Sequence, residues 1–348
     1  MDASTFECTL RARSNYRQGE PITVTFEIRN AGQETYRLLT WDLPLEDEPL
    51  NFLTVTRDGN DIAYDGKLLR RGSPLAKEYI NLAPGASKSV EVDISRIYPV
   101  QAPGEYTVTL NATVHDVYAI AEDAAPTHAL DEFEPLPLAE TSVSFTLSRG
   151  DPPRMTIGQA IRLEEPPLSA ERAATPFLEG GTPTQRNDTI SAHNRAASLA
   201  RRAGDRLRGN NPDSLYYRWF GANGQAVPPY PPTLRDLVDG NYYTIANRLD
   251  GFPPVVYNLQ MIDCTPNVHA WTVVNSGKVF LCKPFLDAPV YPGFFCKSMT
   301  LVHEWVHAAC GIAGDPASGE SACLNLARTN PRKAIFNPDN YAGFVNEL

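Results

Sequence analysis

The sequence predicts a protein of two domains, an antiparallel β-sandwich followed by a mainly helical α+β domain. Residues 1–148 contain short segments in which apolar and polar residues alternate, which is the pattern of strands with one buried face. Residues 149–185 are rich in Pro and Gly, as linkers are. Residues 186–348 space their apolar residues mostly at helical intervals. A chain of 348 residues, 42% hydrophobic, is long and apolar enough for two packed domains.

The first domain is predicted to consist of strands joined by tight turns. Ile22, Val24, Phe26 and Ile28 alternate with polar residues. The same alternation recurs in "SKSVEVDI", "GEYTVTLNATV" and "TSVSFTLSRG", and the Pro-Gly turns of "LAPGAS" and "QAPGEY" stand directly before two of these segments. Short alternating strands at regular spacing are typical of a β-sandwich.

The second domain is predicted to begin with a helix in "DTISAHNRAASLARRAGDRLRG", which ends at Gly209. "PTLRDLVDGNYYTIANRLDG" predicts a further helix or helix pair. "VVYNLQMIDC" reads as a strand, and "AWTVVNSGKVFLC" as a hairpin that turns at "NSG". Helices are expected again over residues 298–310 and about 319–329.

The charge distribution restricts the partners. Residues 1–150 contain 13 Lys and Arg against 23 Asp and Glu, so they carry the whole net charge of −10. An acidic half argues against nucleic-acid binding. Apolar runs stay far below the roughly 18 residues of a membrane helix, and the start "MDASTFECTLRARS" has no apolar core of a secretory signal. We therefore expect no nucleic-acid or membrane partner.

Cysteine usage indicates an oxidising compartment. Five of the six cysteines lie in the last 85 residues, and no pair has the C-x-x-C spacing of a thiolate zinc site. We expect disulfides in the second domain and a secreted or extracytoplasmic protein, although the given chain shows no signal peptide.

A metal-binding pattern stands in "LVHEWVH", residues 301–307. On a helix, His303 and His307 lie one turn apart on the same face, so their imidazoles can converge on one ion at about 2 Å. Glu304 lies roughly a third of a turn away, where it can deprotonate a zinc-activated water without binding the metal. The structural alternative is a core helix that contains two hydrogen-bonded histidines and binds no metal.

A catalytic zinc needs a third protein ligand. The position six residues after His307 is Ala313, which excludes the metzincin pattern. Glu320 on a later helix is one candidate, thirteen residues after His307. Asp315 is the nearest carboxylate, and a helix that ends at Gly311 could return it over the two imidazoles.

The motif resembles that of the aspzincins, the deuterolysin and peptidyl-Lys metalloendopeptidase family. H-E-x-x-H is followed by a short Gly-rich turn with an Asp and, four residues later, a Gly. Further blocks are similar in the same order, namely "YYRWFG", "DCTPNVHAWTVVNSGKVFLCKPFLDAP", "TLVHEWVH" and "LARTNPRKAIFNPDNYAGF". The first 150 residues resemble, more weakly, the β-rich propeptide of peptidyl-Lys endopeptidase precursors.

The resemblance implies a zincin-like catalytic domain over residues 186–348 and a role for each matched residue. His303, His307 and Asp315 match the zinc ligands, and Glu304 matches the general base. Asp339 matches an acidic residue near the S1′ pocket that can face a substrate lysine. The resemblance also implies a disulfide between Cys264 and Cys282. Cys310 and Cys323 flank the turn that carries Asp315, and we expect them to form a second pair.

Two departures from the family pattern bear on activity. Ser318 stands where the family has a Tyr that donates a hydrogen bond to the tetrahedral intermediate, and losing such a donor can cost about 10²–10³ in rate. Tyr341 is the candidate substitute. Ala342 stands where the Lys-specific enzymes carry a second acid, which weakens the expected Lys preference at P1′.

The resemblance thus predicts a Zn²⁺ endopeptidase that acts on proteins or peptides. Its N-terminal domain is expected to pack on the catalytic domain and to inhibit it or assist its folding. Two alternatives stay open from the residues: a zinc-binding module with weak or lost activity that acts by binding, and a purely structural sandwich protein.

Overall fold

The computed structural model describes residues 5–46, 51–120, 127–164, 175–208, 213–221, 233–251 and 254–348. The chain forms two compact units. Unit 1 comprises Met1–Lys67 and Ser73–Ala160, and unit 2 comprises Leu68–Gly72 and Ile161–Leu348. A five-residue segment from the first half of the chain therefore belongs to the second unit.

The first half of the chain is β-rich. Its strands are β1 (Phe6–Ala12), β2 (Asn15–Arg17), β3 (Thr23–Asn30), β4 (Thr35–Leu39), β5 (Leu53–Arg57), β6 (Asn60–Ile62), β7 (Leu68–Arg71), β8 (Tyr79–Leu82), β9 (Ser87–Asp93), β10 (Gly104–Leu110), β11 (Thr113–Val114), β12 (Val117–Ile120), β13 (Leu136–Pro137) and β14 (Ser142–Ser148). Short 3₁₀ turns lie at Ala76–Glu78, Ile94–Arg96 and Leu130–Glu132.

All of these strands except β7 form the small sheets of unit 1. The orders are β1-β3-β9, β2-β14-β10-β5-β6, β11-β13 and β12-β4-β8, and the described pairings are antiparallel except that of β2 with β14. In β3 the side chains of Val24, Phe26 and Ile28 are buried and alternate with more exposed polar ones. The β-rich character predicted from alternation is confirmed.

Unit 2 combines helices with a sheet. Helix α1 (Ile157–Leu163) contains the boundary between the units, after Ala160. The further helices are α2 (Pro183–Leu207), α3 (Ser214–Phe220), α4 (Leu234–Asp250), α5 (Lys283–Asp287), α6 (Lys297–Cys310), α7 (Glu320–Thr329), α8 (Pro331–Ala334) and α9 (Pro338–Asn346), and the strands are β15 (Phe177–Glu179), β16 (Val256–Asn258), β17 (Val268–Thr272) and β18 (Lys278–Leu281). The hairpin predicted to turn at "NSG" is β17–β18, and the two predicted late helices are α6 and α7.

The sheet of unit 2 has the order β15-β16-β18-β17-β7. β15, β16 and β18 run parallel, whereas β17 pairs antiparallel with β18 on one side and with β7 on the other. From the sequence β7 was expected in the first domain, because its four residues carry no signal of the sheet that they join. The segment 149–185, predicted as a linker, contains α1, β15 and the first turn of α2.

Helix α6 forms the centre of unit 2. Every residue from Lys297 to Ala308 is buried, and the helix packs against α2, α4 and α9. Alanines 192, 196 and 200 are fully buried on one face of α2, and small side chains there let neighbouring helices approach closely. Trp305 of α6 donates a hydrogen bond to Tyr257 of β16 at 3.0 Å, which ties the helix to the sheet.

Among the described residues, none of the helices has the length and apolar composition needed to cross a membrane.

Candidate metal centre

Two imidazoles and one carboxylate meet at the buried face of α6. The Nε2 atoms of His303 and His307 are 3.2 Å apart. Asp315 places Oδ1 3.4 Å from Nε2 of His303 and Oδ2 3.2 Å from Nε2 of His307. The two imidazole nitrogens and the Asp315 carboxylate thus form a triangle in which a different carboxylate oxygen faces each nitrogen.

The turn after α6 brings Asp315 to this position. Gly311 ends the helix in the left-handed region, with φ of 71°, and its N–H donates to the carbonyl of His307 at 3.1 Å. The following carbonyl of Ile312 accepts a hydrogen bond from Nδ1 of His307 at 2.6 Å. Because Nδ1 of His307 carries the proton, its Nε2 lone pair is directed at the centre of the triangle.

Asp339 on α9 holds the other imidazole. Its Oδ1 lies 2.8 Å from Nδ1 of His303, and its Oδ2 accepts the N–H of Gly319 at 3.1 Å. Arg70 of β7 approaches the same carboxylate, with Nη2 3.1 Å from Oδ1. Burial alone would raise the pKa of Asp339, but Arg70 and His303 outweigh it and hold the pKa well below its usual range. The buried carboxylate is therefore charged.

The residues present fit a zinc ion. Four-coordinate zinc binds nitrogen and oxygen at about 2.0–2.2 Å, so tetrahedral ligand atoms lie about 3.3–3.6 Å apart. The triangle matches this spacing, and its two imidazoles and one carboxylate are ordinary zinc ligands. Oδ1 of Asp315 is buried without a hydrogen-bond partner, as expected of an atom that binds a cation. Within the described part of the chain, His303, His307 and Asp315 are the group identified as able to hold a metal.

Glu304 follows His303 on α6 and is fully buried. Neither carboxylate oxygen has a hydrogen-bond partner. Burial raises the pKa of Glu304 to about 8, although nearby His307 and Arg70 favour the charged form. A carboxyl group with a pKa near neutrality is suited to accept and return a proton.

Ser318 and Tyr341 differ in their relation to this centre. Ser318 is half-buried in the segment between Asp315 and α7, next to Gly319. Tyr341 is fully buried, and its hydroxyl donates to the carbonyl of Ile335 at 2.8 Å and accepts from Asn241 at 2.8 Å. These two hydrogen bonds occupy the hydroxyl and count against Tyr341 as the substitute for the missing Tyr.

The cysteines follow the expectation in part. The structure contains the disulfide between Cys264 and Cys282. Cys310 and Cys323 are both free, so the second predicted pair is wrong. Sγ of Cys310 lies 3.6 Å from the carbonyl of Asn241, whereas Cys323 contacts the carbonyl of Ala317 at 3.7 Å, so the two thiols have different neighbours.

Arg70 was not predicted from the sequence as a residue of the site. It precedes the motif by more than 230 residues and reaches the centre only because β7 joins β17. The one local signal is a basic residue within the apolar-basic segment "KLLRRGS", which is too short to indicate a site.

Comparison with known proteins then identifies the family. The aspzincin family model, described as lysine-specific metallo-endopeptidase, matches residues 208–346, which include the three candidate ligands and Glu304. The domain formed by residues 208–346 belongs to the aspzincin family. As an aspzincin it is a zinc metalloendopeptidase, a hydrolase of proteins or peptides.

Similar proteins span nearly the whole chain. An extracellular protease of Aeromonas hydrophila is 29% identical over 331 residues, covering 94% of this aspzincin and 88% of the relative. A peptidyl-Lys metalloendopeptidase of Grifola frondosa is 26% identical over 336 residues, covering 93% and 87%. A solved zinc peptidase from Grifola frondosa aligns with 48% of this chain and 97% of its own, at 24% identity and a TM-score of 0.38.

Proposed function

We propose that His303, His307 and Asp315 hold the catalytic zinc of this endopeptidase, with Glu304 as general base and then general acid. The observation that carries the proposal is the group of two Nε2 atoms and the Asp315 carboxylate, with 3.2 Å between the nitrogens and a carboxylate oxygen 3.2–3.4 Å from each, beside a buried carboxylate without hydrogen-bond partners. When bound, zinc supplies Lewis acidity, which strengthens water as a nucleophile at neutral pH and polarises a carbonyl.

Other functions of the site, namely proton transfer, orientation of the ligands and exclusion of water, belong to residues of the chain. Glu304 takes the proton of the attacking water and returns it to the leaving amine, since both of its carboxylate oxygens are free of hydrogen-bond partners. Ile312 and Asp339 orient His307 and His303 through their Nδ1 atoms. The buried surroundings of α6 exclude bulk water and strengthen the electrostatic interactions of these groups.

The first test is the variant Glu304→Gln. We expect it to bind zinc as the native protein does and to lose casein hydrolysis, because the amide cannot accept a proton. His307→Ala should lose both zinc and activity. Metal analysis and a casein assay on the two variants measure this.

Glu320→Gln is a matched control, because Glu320 is exposed and is the alternative third ligand considered from the sequence. It should keep both zinc and activity. Activity retained in Glu304→Gln would contradict the base assignment. A native chain that binds zinc without hydrolysing any substrate would instead support the zinc-binding alternative, which Ser318 and the engaged hydroxyl of Tyr341 favour.

For specificity, we propose a preference for Lys at P1′, with Asp339 as the acidic determinant. A cation, Arg70, already pairs with this carboxylate, so the site accommodates positive charge. Ala342 is fully buried and supplies no second charge, so we expect arginine and neutral residues to be cut as well. A peptide-library digest read by mass spectrometry should show Lys enriched at P1′ by about 10- to 100-fold, the effect of one partly desolvated ion pair. No enrichment would place the chain with broader-specificity aspzincins.

For the rest of the chain, we propose a secreted enzyme whose N-terminal region inhibits the catalytic unit or assists its folding. The relatives named extracellular protease and peptidyl-Lys metalloendopeptidase also align over their N-terminal parts. We also propose that the sheets of unit 1 pack face to face as a β-sandwich.

A further inference from the structure

Strand β7 occupies one edge of the catalytic unit's sheet. It pairs antiparallel with β17, with Leu68 opposite Thr272 and Arg70 opposite Ala270. The N–H of Gly72 extends the pairing by donating to the carbonyl of Asn267 at 2.8 Å. Without these five residues β17 would be the edge strand, and an open edge accepts an extended peptide through main-chain hydrogen bonds.

The side chain of Arg70 fills a built cation site. It is 1% exposed. Nη2 lies 3.1 Å from Oδ1 of Asp339 and donates to the carbonyl of Phe294 at 2.8 Å, and Nη1 donates to the hydroxyl of Thr300 at 3.1 Å. The guanidinium carbon lies 5.4 Å and 5.1 Å from the ring centres of Phe294 and Phe295. One carboxylate, two oxygen acceptors and two aromatic faces thus surround the charge.

This cation site adjoins the metal centre. Asp339 also binds Nδ1 of His303, and Thr300 precedes His303 by almost one turn of α6. The pocket satisfies the terminal nitrogens of Arg70 but leaves its buried Nε without a hydrogen-bond partner. A lysine has no such group, so a lysine ammonium in the same place would avoid that cost.

We propose that the segment Leu68–Gly72 is an intramolecular pseudosubstrate. It covers the edge of β17 where a substrate peptide adds, and Arg70 fills the pocket that a substrate's basic side chain would enter. The segment competes with substrate, so hydrolysis is slow while the segment is in place and becomes faster when it leaves. This inference rests on the proposed endopeptidase function and names the substrate class as an extended peptide with a basic side chain at the Asp339 pocket.

The test measures binding of a competing peptide to the full-length, zinc-loaded chain. All proteins carry Glu304→Gln to prevent cleavage, and the probe is a fluorescein-labelled peptide of residues 67–73, followed by anisotropy. Arg70→Ala empties the cation site, and Gly72→Pro removes the hydrogen bond to Asn267 without touching Asp339. Arg71→Ala is the control, because neighbouring side chains of a strand point to opposite faces.

We expect Arg70→Ala and Gly72→Pro to bind the peptide at least about 10-fold more tightly than the Glu304→Gln parent or the Arg71→Ala control, the effect of removing a charged or main-chain hydrogen bond from the competitor. A probe with alanine at the position of Arg70 should bind at least about 10-fold more weakly to the Arg70→Ala protein. With Glu304 restored, Arg70→Ala and Gly72→Pro should hydrolyse a lysine-containing peptide faster than the native chain.

Unchanged peptide binding in two folded, zinc-loaded variants would overturn the proposal and make β7 a permanent strand. Loss of folding in both variants, measured by circular dichroism, would also overturn the proposal, since β7 would then be required for unit 2 to fold. Tighter binding without hydrolysis in any protein that retains Glu304 would support occupancy of the pocket and reject the proposed function instead.

Discussion

Asp339 is the residue on which the metal centre and the cation pocket converge. Its carboxylate contacts Nδ1 of His303, the N–H of Gly319 and the guanidinium of Arg70. From the sequence we expected it to face a substrate lysine, with no part in metal binding. The contact with His303 adds a second role, because a hydrogen-bonded Nδ1 fixes the ring so that Nε2 faces the metal position.

Asp339→Asn should therefore weaken zinc binding. The loss of a charged partner to a ligating histidine costs about 10- to 100-fold in metal affinity. Competition with a chromophoric chelator measures the affinity. Arg70→Ala is the matched control, since it removes another partner of the carboxylate but leaves the contact with His303, and it should lower the affinity less. An unchanged affinity in Asp339→Asn would show that the carboxylate does not support His303.

At the scale of elements, the close contact between α3 and α9 positions Asp339. Trp219 of α3 lies against Gly343 of α9, and a Cβ added at Gly343 would lie 2.0 Å from the indole ring. Asn340 of α9 also donates a hydrogen bond to the carbonyl of Trp219. A glycine inside a helix lowers helix stability, so its presence here reflects the need for close packing.

Gly343→Ala should destabilise the protein by about 1–3 kcal/mol or more, because the methyl group forces α9 away from α3. Since α9 carries Asp339, zinc affinity should fall as well. Gly240→Ala in α4 is the matched control: nothing lies within 4 Å of the added Cβ, and the position is exposed. That variant should be stabilised by about 0.5–1 kcal/mol. Urea unfolding gives both values, and equal effects of the two substitutions would contradict the packing argument.

At the scale of the whole molecule, the candidate ligands belong to one of the two units. His303, His307 and Asp315 all lie in unit 2, whereas unit 1 carries the acidic excess of the chain. A ligand that binds only the folded form stabilises the cooperative unit that contains its site. Metal binding should therefore stabilise unit 2.

Removal of zinc with a chelator should raise amide hydrogen exchange in α6 and α9 and leave β3, β9 and β10 unchanged. The reason is that unit 2 loses the binding free energy of the metal, and its opening becomes less costly. Exchange measured by mass spectrometry with and without chelator tests this. The His307→Ala variant is the control, since chelator should have no effect on it. An equal increase in β3 and α6 would mean that the metal stabilises both units.

The chemistry of α6 can be predicted from its residues alone. Two histidines four residues apart share a face of any α-helix, and Gly311 permits the left-handed residue that turns the chain back to Asp315. These relations span few residues, so helical geometry and one glycine are enough to predict them. The alternation in β3 and the hairpin of β17 and β18 were predictable for the same reason.

Which distant residues join that helix follows from the packing of the folded chain. Arg70 reaches Asp339 through the pairing of β7 with β17, and Asp339 reaches His303 through the packing of α9. The pairing of Cys310 with Cys323 was predicted wrongly because proximity along the chain does not determine which neighbour a buried side chain meets. Local periodicity specifies the conformation of a segment, whereas contacts between segments depend on how well whole surfaces pack, which no short stretch of sequence encodes.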